Sequence, residues 1–223
     1  MEIKFFTKED EYIKAGIELI AHICSKSKEN PSIALSGGST PKSLYSAVAE
    51  TDKIPLEKIE FWQVDERFVS KTDPDSNYNL IDQTLLKANR KPSNFHHFDT
   101  SLTIEDSLKK YQSELENDLE GNFDLVILGI GPDGHTASLF PNSQAIQETK
   151  ESVAHTTTDQ FKVKNRLTLT FPPILASKNL LLLIKGADKL TCLNELTQGS
   201  KPFEDFPAKK LLGHPRLEIF FLN

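Results

Sequence analysis

At 223 residues the chain is long enough for one sizeable core, or one core with a small appendage. A hydrophobic share of 38% and a charged share of 26% are ordinary for a soluble globular protein, and no apolar run approaches the ~20 residues of a membrane span. The net charge of −6 argues against nucleic acid or an anionic membrane as partner, so a small anionic ligand would have to be held by locally gathered cations.

The opening stretch, MEIKFFTKEDEYIK, has charges on both sides of a short apolar pair, which is not the pattern of a signal peptide. Residues 9–28 are expected to form an amphipathic helix, with Ile13, Ile17, Ile20 and Cys24 at helical spacing. Pro31 breaks that pattern, and Ser32 to Ser36 form a short apolar strand. Ser36-Gly37-Gly38-Ser39-Thr40-Pro41 follows, and then a helical run with Leu44, Tyr45 and Val48 on one face. Two glycines let the backbone turn sharply and leave its N–H groups unshielded. Thr40 suits an N-cap and Pro41 a first helical residue. Such a helix start offers free donors and partial positive charge to an anion, and we read the turn as a phosphate site. It is not a P-loop, because the GK[ST] ending is absent.

Residues 59–64 alternate like a strand and run into Asp65-Glu66-Arg67, three charges that read as a solvated loop. Asp73-Pro74-Asp75-Ser76-Asn77-Tyr78 is turn chemistry leading into a helix that runs to about Leu86. His96 and His97 are adjacent, without nearby Cys or spaced acidic ligands, which makes a poor metal site. Thr103 opens another helix, with Asp106 three residues on as a weak capping box. Its apolar positions include Leu108, Tyr111, Leu115 and Leu119, and Gly121 is expected to end it.

The stretch FDLVILGIGPDGHTASLFP comes next. Leu125 to Leu128 is the apolar run of a buried parallel strand. Gly129, Gly131 and Gly134, with Pro132 and Asp133 between them, make a tight exposed turn that ends at His135. Their spacing matches GxGxxG, but Asp133 would put negative charge where a pyrophosphate should sit, so the dinucleotide reading is rejected. Glu151 to Thr158 is a candidate strand. Residues 165–171 alternate strictly, with Arg166, Thr168 and Thr170 on one face, and Pro172 and Pro173 terminate that strand. Leu180 to Ile184 is an all-apolar strand, and Gly186-Ala187-Asp188-Lys189 begins a helix carrying Leu190, Leu193 and Leu196. Residues 198–207 are loop, Ala208 to Leu212 a helical turn, and Leu217 to Phe221 a last strand.

Strands alternating with helices argue for an α/β fold with a mainly parallel sheet, and no repeat or linker divides residues 1–223, so one domain is expected. Cys24 and Cys192 fall in apolar helical patterns far apart in sequence. They read as buried free thiols, which suits a reducing cytoplasm. If the strands are parallel, the polar residues at their carboxyl ends can converge. The Gly-rich turn, Arg166 and Lys189 then suit a phosphate monoester, and His135 suits proton transfer near neutral pH. Ser39 lacks the GxSxG setting of a nucleophile.

SGGSTPKSLY, DERFVSKTDPDSNY, LGIGPDGHTASLFP and NRLTLTFPPI, in that order, resemble the 6-phosphogluconolactonases. One departure is Val69-Ser70, a loop position where that family often has Val-Pro. The resemblance implies a Rossmann-like, mainly parallel sheet with helices on both faces, as in the glucosamine-6-phosphate deaminase/ribose-5-phosphate isomerase fold. It implies hydrolysis of 6-phosphoglucono-δ-lactone in the pentose phosphate pathway, with no metal and no organic cofactor. His135 resembles the general base that activates water. Arg67 and Asn77 resemble groups near the sugar ring and the reacting carbonyl. Gly37, Gly38, Ser39, Thr40, Arg166 and Lys189 resemble the phosphate site. Either Asp133 or Asp65 would orient His135. The expected partner is a small phosphosugar lactone, with no nucleic acid and no membrane, and the protein is expected as a cytoplasmic monomer or homodimer. The rival activity is that of the related deaminases and isomerases. They place a Glu where this chain has Phe140, and tend to have Tyr where it has Arg67. A non-catalytic sugar-phosphate sensor is the third reading.

Overall fold

The computed structural model describes residues 1–27, 30–87, 94–119 and 121–223. Its centre is a seven-stranded sheet of order β1-β10-β9-β6-β2-β3-β5. The strands are β1 (Glu2–Phe6), β2 (Ser32–Leu35), β3 (Glu60–Gln63), β5 (Asn94–His96), β6 (Leu125–Gly129), β9 (Leu180–Lys185) and β10 (Leu217–Leu222), and every neighbouring pair is parallel. The central strands read as continuous apolar runs because both faces are covered. Tyr12, Ile20 and Ile23 of α1 (Glu9–Lys26) and Leu44, Tyr45 and Val48 of α2 (Lys42–Glu50) pack on one face. Tyr111 and Leu115 of α4 (Ile104–Asn117) and Leu193 and Leu196 of α6 (Leu190–Gln198) pack on the other. The α/β architecture with helices on both faces is as the sequence implied.

A second sheet, three-stranded and antiparallel, has the order β4-β8-β7, from Asp65–Arg67, Asn165–Leu169 and Val153–Thr157. It corrects two expectations. Asp65-Glu66-Arg67 is a strand with a buried Glu66, not a solvated loop. Arg166 lies near the start of an antiparallel strand, so it does not reach the site from the carboxyl end of a parallel one.

Several boundaries also move. β1 (Glu2–Phe6) has no counterpart among the expected elements. The helix over 9–28 ends at Lys26, and Lys28 lies outside the described residues. Thr40 does not cap α2. Pro41 takes that place with a helical backbone, and its carbonyl accepts the first bond, from the Tyr45 N–H. Thr103 does cap α4, accepting from the Asp106 N–H at 3.1 Å, but the helix closes at Asn117, before Leu119 and Gly121. The helix after Asp73–Ser76 is α3 (Asn77–Ile81), continued by a π-helical turn to Leu86. The strand predicted over 165–171 stops at Leu169, and Pro172 and Pro173 sit in the first turn of α5 (Phe171–Leu175), where missing N–H groups cost nothing. Ala187–Lys189 is a short 3₁₀ turn before α6, with Gly186 as its N-cap, and Leu190 is exposed rather than in the core.

Cys24 and Cys192 are free thiols on α1 and α6, but only Cys192 is buried as expected; Cys24 is half-buried. Burial pushes the Cys24 thiol up to about 12, so it packs as a small apolar group. His96 is a core histidine stacked on Trp62 with ring centroids 3.7 Å apart, and its Nδ1 lies 3.2 Å from Glu114. Among the described residues no group of three or more His, Cys, Asp or Glu is placed to hold a metal ion, and no helix is long and apolar enough to cross a membrane.

Candidate active site

A cavity of about 350 Å³ opens at the carboxyl ends of β2 and β6, where an open parallel sheet binds its ligands. The turn after β2 forms one wall with Gly37, Gly38, Ser39 and Thr40. Gly38 takes φ +91°, a conformation that side-chain-bearing residues rarely adopt. The turn after β6 adds Gly129, Gly131 and His135. Asp65, Arg67 and Arg166 come from the antiparallel sheet, Asn77 from the start of α3 and Lys189 from the turn before α6. Ten of the eleven residues singled out in the sequence therefore line one cavity. The eleventh, Asp133, stands behind His135.

The imidazole is fixed from three sides. Asp133 Oδ1 lies 2.5 Å from His135 Nδ1 and also accepts from the His135 backbone N–H at 3.2 Å. Nδ1 is thereby committed, and Nε2 is the ring nitrogen left for chemistry. The ring packs against Phe140 at 4.8 Å and Phe161 at 5.4 Å between centroids. Gly131 has to be a glycine, because a Cβ there would overlap the imidazole. Burial pushes the Asp133 carboxyl up, but the His135 ring and N–H together outweigh it and hold the group below the ordinary carboxylate value. Of the two candidate carboxylates, Asp133 is the one that bonds the imidazole. Asp65 Oδ2 instead accepts from Ser138 Oγ at 2.6 Å.

Two guanidiniums stand opposite each other across the antiparallel pair, Arg67 on β4 and Arg166 on β8. Each is held by a backbone carbonyl. Arg67 Nη1 donates to Asp75 O at 2.6 Å, and Arg166 Nε donates to Val163 O at 2.9 Å. Arg166 is buried, and that burial, followed by the charge of Arg67, lowers its pKa. Like charges directly opposite in a sheet are destabilising, and an anion between them removes the penalty. Lys189 Nζ extends over the same cavity, 3.4 Å from Ile130 O.

Glu66 holds this half of the site together. Its buried carboxylate accepts from the backbone N–H groups of Arg67, Asn77 and Tyr78, from Gln63 Nε2 and from Ser76 Oγ, at 2.7–3.0 Å. Burial raises its pKa, and the bonds from Tyr78, Asn77, Gln63 and Arg67 pull the other way without overcoming it. Glu66 thus ties β4 to the first turn of α3 and sets Asn77, whose Nδ2 donates to Asp65 O at 2.8 Å. The opposite amide atom, Asn77 Oδ1, is buried with no partner among the described residues, as are Ser36 Oγ, Arg67 Nε and Asp133 Oδ2. Buried polar groups are normally paired. Unmade hydrogen-bonding capacity gathered around one cavity marks a surface built for a polar ligand.

A family profile described as glucosamine-6-phosphate isomerases/6-phosphogluconolactonase matches residues 7–219. The chain belongs to this family. It is 36% identical to a 6-phosphogluconolactonase of Thermotoga maritima over 192 residues, covering 84% of this chain and 86% of that one. A 6-phosphogluconolactonase of Aggregatibacter actinomycetemcomitans is 32% identical, over 99% of this chain and 96% of its own. The solved structure of 6-phosphogluconolactonase from Trypanosoma brucei superposes with a TM-score of 0.87 at 31% identity, over 99% of this chain and 95% of that one.

Within the isomerase/lactonase family frame, three residues at the site escaped the sequence reading. Glu66 looked like one of three solvated charges. Ser138 sits next to Ala137, which lines the cavity at φ +52°, a strained value for alanine that aims the turn. Phe161 lies in a polar stretch, DQFKVKN, with no periodicity to single it out.

Proposed function

We propose that this chain, as a single domain, hydrolyses 6-phosphoglucono-δ-lactone to 6-phosphogluconate in the pentose phosphate pathway. The observation that carries the reading is an imidazole held by Asp133 in a cavity also lined by two guanidiniums held by backbone carbonyls.

The phosphate anchors on the Gly37–Thr40 turn, Arg166 and Lys189. Neutral His135 takes a proton from water through Nε2 as the water oxygen attacks the lactone carbonyl carbon. Arg67 stabilises the oxyanion that develops there. Asp133 keeps the imidazole oriented and stabilises its positive charge while it holds the proton. The bond from C1 to the ring oxygen then breaks, and the imidazolium returns its proton to that oxygen, leaving a free hydroxyl and a carboxylic acid that ionises. Asn77 faces the sugar ring beside Arg67. Asp65, bonded to Ser138, supports the turn that carries Ala137.

Phe140 supports a lactonase over a deaminase or isomerase. It puts an aromatic ring against His135 where those enzymes have a glutamate, so no carboxylate there can relay a proton or orient a charged imidazole. The setting we infer is cytoplasmic, with the enzyme acting as a monomer or homodimer. The deciding experiment is a coupled or pH-stat assay on freshly made 6-phosphoglucono-δ-lactone, corrected for spontaneous hydrolysis. Rapid turnover of the lactone, with none of glucosamine 6-phosphate, is expected. The reverse pattern would overturn the assignment, and binding without turnover of either would leave the sensor reading.

A further inference from the structure

The loop joining β7 and β8, residues 158–164, forms the outer wall of the site, and Phe161 is the side chain it contributes to the cavity. The ring meets His135 edge-on, at 77° and 5.4 Å between centroids. It lies 6.0 Å from Phe140, and the Arg166 guanidinium sits over it at 5.7 Å. One half-buried ring therefore touches both the imidazole and a cation of the site. The loop itself is anchored at two points. Val163 O accepts from Arg166 Nε, and Lys162 Nζ pairs with Asp75 Oδ2 at 2.7 Å. Asp75 is the residue whose carbonyl holds Arg67, so the ion pair joins the two loops that carry the arginines' supports.

Arg166 needs such support. Its Nε bond fixes one edge of the guanidinium, while Arg67 repels it from the adjacent strand. The electron-rich face of an aromatic ring offsets that repulsion and fixes the plane of the cation. An aliphatic side chain of similar bulk fills the same space without the quadrupole.

We propose that Phe161 is a positioning residue whose ring face holds Arg166 in register with the substrate phosphate, while its edge walls the imidazole of His135. The proposal rests on Arg166 being a phosphate ligand, as read above. The experiment compares wild type, Phe161→Leu and Phe161→Tyr on 6-phosphoglucono-δ-lactone and on unphosphorylated gluconolactone, with thermal melts to confirm that all three are folded. The readout is the ratio of kcat/KM between the two substrates. Phe161→Leu is expected to lower that ratio by about 2–30-fold, the span of a cation–π contact, mainly through KM for the phosphorylated lactone. Phe161→Tyr, which restores an aromatic face, is expected to keep the ratio near wild type. Equal losses on both substrates in Phe161→Leu would mean a wall and nothing more, and would overturn the proposal. A wild-type enzyme with no preference for the phosphorylated lactone would overturn the reading of Arg166 and this proposal with it. A wild-type preference that survives in Phe161→Leu overturns this proposal alone.

Discussion

Gly37 lies directly against the amide of Asn77, so closely that a Cβ at position 37 would overlap Asn77 Oδ1. Asn77 has nowhere to retreat. It is buried, its Nδ2 donates to Asp65 O, and its backbone N–H donates to Glu66 Oε1 at 2.7 Å. Gly37, in the turn after β2, and Asn77 therefore fix each other's positions. Gly37→Ala should displace the turn, costing about 1–3 kcal/mol of stability and up to ~10²-fold in kcat/KM through misplacement alone. Gly38→Ala is a useful contrast. Space around Gly38 is open but its φ is +91°, so the cost there is backbone strain of roughly 1–2 kcal/mol. Urea melts and steady-state kinetics on the two variants would separate the effects, and a Gly37→Ala enzyme with wild-type kinetics would show that the contact is dispensable.

Glu66→Gln tests the tie between β4 and α3. The substitution keeps shape but turns one acceptor oxygen into a donor, in a pocket where all five partners are donors. At least one buried bond must go unmade, at ~1–3 kcal/mol each. Stability should fall by that amount or more, and kcat should fall with it because Arg67 and Asn77 lose their common anchor. A stable, fully active Glu66→Gln would mean that the network is redundant.

Most residues that line the cavity were legible in the sequence, while the sheet that brings some of them together was not. His135, the glycine turn and Lys189 follow strands of the parallel sheet, whose apolar runs announce themselves, so their convergence could be argued from topology. Arg67 and Arg166 arrive by another route. β4 starts two residues after β3 ends, and nothing in the alternation marks the change from one sheet to the other. A buried glutamate satisfied by three backbone N–H groups looks, in one dimension, like any surface charge. β1 was invisible for a related reason. It is an edge strand whose Phe5 remains 65% exposed, so burial imposes no clean pattern on it. The cap of α2 slipped by one residue because Thr40 lines the cavity instead of closing the helix.

Lys189→Ala addresses the phosphate directly. Loss of one charge-assisted contact should weaken use of the phosphorylated lactone by roughly 1.5–3 kcal/mol in kcat/KM. Use of unphosphorylated gluconolactone should hardly change, since Lys189 touches the protein only weakly, at 3.4 Å from Ile130 O. Parallel assays on the two lactones measure this, and equal losses on both would remove Lys189 from the phosphate site.

The pH dependence of the reaction has a definite sign. A general base must be unprotonated to take the proton from water, so kcat/KM should fall toward acid. Asp133 does not produce that fall. Burial pushes its carboxyl up, but the hydrogen bonds and charge of His135 win and hold it below the ordinary carboxylate value of ~3.9. It is therefore ionised at every pH above the ordinary carboxylate range. The same depression makes Asp133 a source of stability above its unfolded value, lost as pH falls through its lower folded value. The stability gap between wild type and Asp133→Asn should thus be full at neutral pH and close only below about pH 4. His135→Asn retains a polar side chain of similar reach but cannot act as base. A loss of roughly 10²–10⁴-fold is expected, with binding of 6-phosphogluconate largely kept and the acid limb gone from what activity remains. Asp133→Asn should lower kcat in the same direction while keeping an acid limb, because the imidazole is still present but poorly held. Near-wild-type activity with an intact acid limb in His135→Asn would place the base elsewhere, and Asp65, on the same cavity, would be the next carboxylate to replace.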